Sequence, residues 1–302
     1  MRVPVTDRGA IGFALAGFTL WVLADTTIKL VGRSRLPAYE MVGFLGLFIV
    51  GFLGVHALAR GEVRALRPRN LPGQLVRSLL DLGNNLCVVV ALRHLSLTLF
   101  YILVFLAPMV TTTLSAIFLR ERLTWRKAAA IVTGFAGVVV AVDPFSSARQ
   151  GDWTGFAACM VCVACFSVNM VWSHVMTQTE SPQSLTFFSG AMMTVMGFGL
   201  MLWHAQPLTP ELAGGLCGMG LFCATGTMCF FVALRHTSAA TVSQYHYTQL
   251  LTGAVVAYLI WHTRPTGSMV LGGILIAASG LSIAWAASRE RFSAIPLPVV
   301  PE

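Results

Sequence analysis

Between residues 72 and 92 the sequence sets Gln74, Arg77, Ser78, Asp81, Asn84 and Asn85 among leucines and valines. At about 100° per residue the six polar groups share a helix face about 120° wide, and Leu75, Leu79, Leu82, Leu86 and Val90 fall opposite. The adjacent amides Asn84 and Asn85 can meet a carboxylate and an ammonium together, because each both donates and accepts. Arg77 precedes Asp81 by four residues, the spacing of a side-chain pair on one helix. Two readings stay open for this face: a buried ion pair that locks helices together, or one wall of a solute pathway.

A second run, Ser243-Gln244-Tyr245-His246-Tyr247-Thr248-Gln249, is polar at all seven positions yet lies inside an apolar segment spanning 238–261. On a helix these groups point in nearly every direction, leaving only a strip near Leu250 and Ala254 for lipid. The segment is therefore expected to be central, touching protein or a wet cavity on most sides. Tyr245 and Tyr247 join an apolar ring to a hydroxyl, which suits an amphipathic organic solute. His246 is either a proton carrier or a neutral, hydrogen-bonded packing group. Elsewhere Phe18, Trp21, Asp25 and Lys29 share one face, Asn169 and Trp172 stand together on another segment, and Tyr101 and Thr111 flank Pro108. Pro108 removes one backbone donor and frees a carbonyl near Val104, which makes it a candidate hinge.

These groups need positioning elements, and the composition says of what kind. The 302 residues are 56% hydrophobic and 11% charged, with mean hydropathy +0.75. So few charges cannot cover a water-facing surface, so the solvent is lipid. The net charge of +8 comes from basic residues in short loops, which points to a membrane and away from nucleic acid. A span needs about 20 apolar residues. Ten candidates run over 10–30, 38–59, 72–92, 96–119, 125–142, 153–174, 183–203, 212–234, 238–261 and 267–287. The first follows Arg2 and Arg8 but is longer than a signal-peptide core and is read as retained.

Orientation follows from the basic residues. With the N-terminus inside, the cytoplasmic segments hold Arg2, Arg8, Arg60, Arg64, Arg67, Arg69, Arg120, Arg122, Arg126, Lys127, Arg235, Arg289 and Arg291. The outer loops hold only Arg33, Arg35, Arg93, Arg149 and Arg264. Both termini are expected in the cytoplasm.

The chain also repeats itself. Ala91-Leu92-Arg93-His94 returns 142 positions later as Ala233-Leu234-Arg235-His236, and Gly12-Phe13-Ala14 returns 143 positions later as Gly155-Phe156-Ala157. Both matches fall at corresponding points of five-span units. An odd unit must cross in opposite senses in its two copies, so the expected fold is an all-α integral membrane protein of ten transmembrane helices in two inverted five-helix repeats. The halves are placed at 1–147 and 148–288, with a cytoplasmic tail over 289–302. At the same offset Asp81, Asn84 and Asn85 meet Cys223, Gly226 and Thr227, so the pathway is expected to be chemically asymmetric.

At this point a family is visible. The stretches ALRHLS, FLAPMVTTTLSAIFLRERLTW and GFAGVVV between residues 91 and 140 resemble the drug/metabolite transporter superfamily, in its ten-span EamA-type exporters. The matching positions are Ala91, Leu92, Pro108, Glu121, Arg122, Gly134 and Gly137. The second half departs, with Leu250 for Pro108 and Thr263-Arg264 for Glu121-Arg122. Within that group the resemblance is nearest to the aromatic and general amino-acid exporters, which implies transport of amino acids or similar metabolites.

Other chemistry is excluded or outweighed. Cys159, Cys162 and Cys165 share about 120° of one helix, but no fourth cysteine or nearby histidine completes a metal site, so they read as packing and no metal is expected. No phosphate-binding lysine loop, HExxH or GxSxG occurs, and no cofactor is expected. The reading is an inner-membrane secondary transporter, not an enzyme, exporting amino acids or similar amphipathic metabolites as a monomer or weak dimer. Its expected binding residues are Trp21, Asp81, Asn84, Asn85, Tyr101, Asn169, Tyr245, His246, Tyr247 and Gln249, with Pro108 as the hinge. The alternatives are transport of a flat vitamin or drug, and a membrane-embedded enzyme using Asp81 and His246.

Overall fold

The computed structural model describes residues 7–31, 36–118, 125–142, 153–202, 208–236, 242, 245–246 and 248–293. Among them there is no strand, and the α-helices are α1 (Asp7–Val31), α2 (Ala38–Arg60), α3 (Leu71–His94), α4 (Leu97–Val104), α5 (Leu106–Phe118), α6 (Trp125–Val142), α7 (Trp153–Met176), α8 (Pro182–Met201), α9 (Pro210–His236), α10 (Thr248–Trp261) and α11 (Gly267–Ser293). Among the described residues α1, α2, α3, α7, α8 and α9 are long and apolar enough to cross a bilayer. The stretches Leu97–Thr111, Val132–Ala141, Thr248–Trp261 and Gly267–Ser279 are apolar but shorter.

The helix ends carry recognisable stop signals. Asn70 accepts from the Gly73 amide at 3.0 Å and caps α3, with Pro72 just inside. Ser96 caps α4 through the Leu99 amide, and Ser181 caps α8 ahead of Pro182. Gly61 ends α2 in the left-handed region at φ 66, which only glycine adopts at no steric cost.

The fourth expected segment is two helices. The chain turns at Phe105, between α4 and α5, three residues before Pro108. Proline cannot donate to the carbonyl four residues back, so the break falls where the missing N–H leaves it. In the ninth segment α10 runs over Thr248–Trp261, and Val242 and Tyr245 ahead of it are helical as well. Tyr245 and His246 precede it, with the Gln249 amide donating to the His246 carbonyl at 3.0 Å. Ser243, Gln244 and Tyr247, like Glu121 and Arg122, lie outside the described residues.

Helix α1 lies along α9, α3 along α7, α2 along α8, α6 along α11, and α4 against α10. With α4 and α5 taken as one unit, exchanging the first five units for the second five maps α1–α9 onto α7–α3 and each remaining pair onto itself.

Glycine lets these partners approach closely. A Cβ on Gly46 of α2 would stand 2.4 Å from the Gly190 oxygen, and one on Gly197 of α8 would stand 2.3 Å from Gly43 Cα. Small residues at such a seam replace the hydrophobic driving force that helices lack in lipid. Gly214 and Gly218 on α9, whose spacing also reads as a packing signal, have nothing within 4 Å of an added Cβ and form no seam among the described residues. Side chains add polar ties. Glu180 Oε1 accepts from the Arg69 and Asn70 amides at 2.7 and 2.6 Å at the start of α3, and Ser181 Oγ donates to the Ala65 carbonyl at 2.5 Å. Lys29 Nζ donates to the Leu92 and Leu95 carbonyls at the far end of α3, at 2.9 and 2.6 Å.

The seam yields a stability expectation. Gly197→Val destabilises the folded protein by about 1–3 kcal/mol through overpacking against Gly43. Gly54→Ala, where nothing lies within 4 Å of the added Cβ, stays within about 0.5 kcal/mol of the parent. Thermal unfolding in detergent compares the two.

Candidate functional site

The face of α3 read from the sequence is the buried one. Gln74, Arg77 and Ser78 are fully buried, while Leu75 and Leu79 on the opposite side are exposed. Asp81, Asn84 and Asn85, further along the same stripe, border a cavity of about 110 Å³. A single buried water needs about 10–15 Å³ of such space, so this cavity holds several waters or a small organic molecule.

One wall is polar. Asn85 Nδ2 donates to its own helix at the Asp81 carbonyl (2.8 Å) and approaches Asp81 Oδ1 at 3.4 Å. Asn169 Nδ2 of α7 reaches the same Oδ1 at 3.4 Å, and its own oxygen accepts from Ser173 at 3.1 Å. Both approaches to Oδ1 are longer than a strong N–H···O bond, so the carboxylate keeps acceptor capacity toward the cavity. Asn84 Oδ1 accepts from Cys162 Sγ at 3.2 Å.

The other wall is aromatic. Trp21 donates through Nε1 to Thr227 Oγ1 at 3.1 Å and packs against Phe230 with centroids 4.8 Å apart. His246, 3% exposed, stacks on Phe18 at 4.9 Å and tilts against Phe166 at 5.1 Å. Gln249 Nε2 is spent on the Phe18 carbonyl at 3.1 Å, which ties the start of α10 to α1. Toward the α4 side, the Tyr101 hydroxyl donates to Asp25 Oδ2 at 2.8 Å.

Of the expected binding residues, Trp21, Asp81, Asn84, Asn85, Tyr101, Asn169, His246 and Gln249 border this one cavity. Tyr245 does not: it is half-buried against the neighbouring apolar cluster around Phe18 and Leu234. Tyr247 is outside the described residues, and α5, which carries Pro108, contributes none of the described lining.

Of the two readings open for this face, the Arg77–Asp81 hydrogen bond of the first does not form. Arg77 Nη2 donates to the Leu185 carbonyl at 2.5 Å and to Ser189 Oγ at 2.7 Å, and the guanidinium lies 5.3 Å over Phe231. Its Nε and Nη1 have no hydrogen-bond partner, so no bond reaches Asp81. Arg77 joins α3 to α8. Trp172, paired with Asn169 in the sequence reading, donates to the Gly73 carbonyl at 3.2 Å and stays off the cavity.

Asp25, Phe166 and Phe230 join the lining without having been singled out for it. Asp25 had a signal, since it shares a face with Trp21. Phe166 and Phe230 had none, because an aromatic in an apolar helix looks like packing wherever it points. Cys223 and Thr227, the offset partners of Asp81 and Asn85, also border the cavity. Among the described residues no group of three or more histidine, cysteine, aspartate or glutamate side chains could hold a metal ion.

The model of the EamA-like transporter family matches residues 8–142 and again 153–285. The chain belongs to the EamA-like transporter family. It is a transporter rather than an enzyme, and a multi-pass membrane protein. It is 25% identical over 286 residues to the pseudopaline exporter CntI of Pseudomonas aeruginosa, covering 94% of this chain and 98% of that protein. It is 26% identical to a riboflavin transporter of Rhizobium johnstonii (91% and 90% covered) and 23% identical to an S-adenosylmethionine uptake transporter of Rickettsia bellii (92% and 94%). A solved crystal structure shares the fold, with TM-score 0.66 at 19% identity over 92% of this transporter and 98% of that chain. These relatives carry different solutes, some outward and some inward. The family therefore fixes transport, and none of the three names is an aromatic or general amino-acid exporter.

The cavity has its own chemical check. N-Ethylmaleimide added to the folded transporter modifies Cys223, on the cavity wall, at least about tenfold faster than Cys159, which is fully buried between helices. Mass spectrometry of the cysteine peptides reads the two rates.

Proposed function

We propose that this transporter exports amino acids or similar small amphipathic metabolites across the bacterial inner membrane by alternating access. The observation that carries the reading is the cavity itself, which sets an acid-and-amide wall on α3 and α7 against an aromatic wall on α1, α7 and α9. A solute with a polar head and an apolar body fits between them: Asp81, Asn84, Asn85 and Asn169 meet the head, and Trp21 and Tyr101 the body. His246 and Gln249 close the aromatic end.

Two halves, 1–147 and 148–288, act in this proposal as inverted five-helix repeats that rock about the site. The double family match and the exchange symmetry of the helix pairs support that division. The break at Phe105, beside Pro108, is the assigned hinge. The bias of basic residues supports both termini in the cytoplasm.

The aromatic wall favours a second reading, carriage of a flat ring system, and a riboflavin transporter is among the relatives. Counterflow into proteoliposomes separates the two. Exchange of neutral amino acids is expected, and Trp21→Ala slows it by roughly tenfold through lost ring contact. Exchange of riboflavin with none of any amino acid replaces the first reading by the second. A reporter fused at residue 302 is expected to read as cytoplasmic, and an external reading overturns the orientation.

A further inference from the structure

The charges around the cavity are distributed unevenly. Asp25 and Asp81 both border it, on α1 and α3, and no lysine or arginine does among the described residues. The two cations nearest in sequence are turned to other tasks. Arg77 is fully buried and gives its Nη2 to α8, with Phe231 beneath the guanidinium. Lys29 gives its ammonium to the Leu92 and Leu95 carbonyls and lies 6.0 Å from the Trp261 ring centroid. Each cation thus ties helices together, and neither borders the cavity.

The acids are lightly met. Asp25 accepts one hydroxyl, from Tyr101. Asp81 Oδ1 has two amide contacts at 3.4 Å. A carboxylate in a membrane interior is costly without a countercharge, and interior ionisable groups face cavities where a partner can reach them. Rings of Trp21, Phe166 and Phe230 stand across the same space and offer faces that attract cations. A solute carboxylate entering here would meet two acid side chains and no lysine or arginine among the described lining.

We infer that the cavity recognises its solute by a protonated amine and does not read a carboxylate, so that its substrate class is organic amine cations, with amino acids accepted through their amino group. This rests on the transport reading above and narrows its solute.

The test is counterflow in proteoliposomes with norleucine, ornithine, 1,4-diaminobutane and N-acetyl-norleucine, against protein-free vesicles. Ornithine and 1,4-diaminobutane are expected to exchange at least as fast as norleucine, and N-acetyl-norleucine not at all. Exchange of N-acetyl-norleucine at the norleucine rate overturns the inference. So does exchange of norleucine and ornithine without 1,4-diaminobutane, while the transport reading then stands. No exchange of any of the four removes both. Asp81→Asn and Asp25→Asn each lower 1,4-diaminobutane flux on the order of tenfold or more. A folded double variant with parental 1,4-diaminobutane flux overturns the assignment of the acids, and if the variants fail to fold the four solutes on the parent protein decide.

Discussion

The constraint behind this structure is that a polar group inside a bilayer must be answered by protein or by enclosed water. A charged side chain at mid-membrane costs at least about 2.5–3.5 kcal/mol when it is not. Helix α3 carries six polar groups on one stripe, so that stripe cannot face lipid. It turns inward, and α7 and α8 supply what it needs: Asn169 toward Asp81, and Ser189 and the Leu185 carbonyl toward Arg77. The arrangement of α3, α7 and α8 follows from where one helix put its polar atoms.

The same constraint separates two kinds of polar residue along α3. Near the start of the helix, Gln74, Arg77 and Ser78 are sealed between helices, and α3 meets α8 there through Arg77 and through Gln74, which donates to Ser184 Oγ at 3.2 Å. One to three turns on, Asp81, Asn84 and Asn85 keep partial exposure because no helix closes over them. Gln74 and Arg77 lock α3 to α8, and Asp81, Asn84 and Asn85 line space. Glycine seams at Gly46–Gly190 and Gly43–Gly197 hold α2 and α8 together without spending polar groups at all.

Much of this was legible in sequence, for a physical reason. Span limits were readable because hydrocarbon admits only long apolar runs, and the ends of α2, α6 and α7 fall within two residues of their expected positions. The inward stripe of α3 was readable because burial of polar atoms in lipid is all or none. Other features were not, because they depend on a neighbour that the local sequence does not contain. The spacing of Arg77 and Asp81 allows a bond, yet α8 offers the guanidinium a carbonyl and a hydroxyl on the other side. Gly214 and Gly218 have the spacing of a seam, yet among the described residues nothing lies within 4 Å of a Cβ added there. The polar run before Gln249 pointed to a segment touching protein or a cavity on most sides, but which group met which depended on neighbours: His246 borders the cavity and Tyr245 packs on the adjoining apolar cluster.

The proposed inverted repeat then raises a question of directionality. Two copies of one backbone make a cavity with matching walls, but the side chains at matched positions differ. Asp81 stands opposite Cys223 in this sense, Asn85 opposite Thr227, and Asn84 opposite Gly226. The last exchange has a steric consequence: a Cβ on Gly226 would lie 2.9 Å from the Trp21 ring, so the absence of a side chain there admits the indole. Thr227, one residue on, accepts the indole N–H at 3.1 Å. The α9 wall has thus exchanged charge for room, and the room is filled by an aromatic face. Within the proposed repeat the matched walls thus differ in chemistry, with Asp81 and two amides on α3 against room for the Trp21 ring on α9. In the proposed cycle a solute bound across such a site has one favoured orientation, because the asymmetry belongs to the side chains of α3 and α9 and not to the backbone.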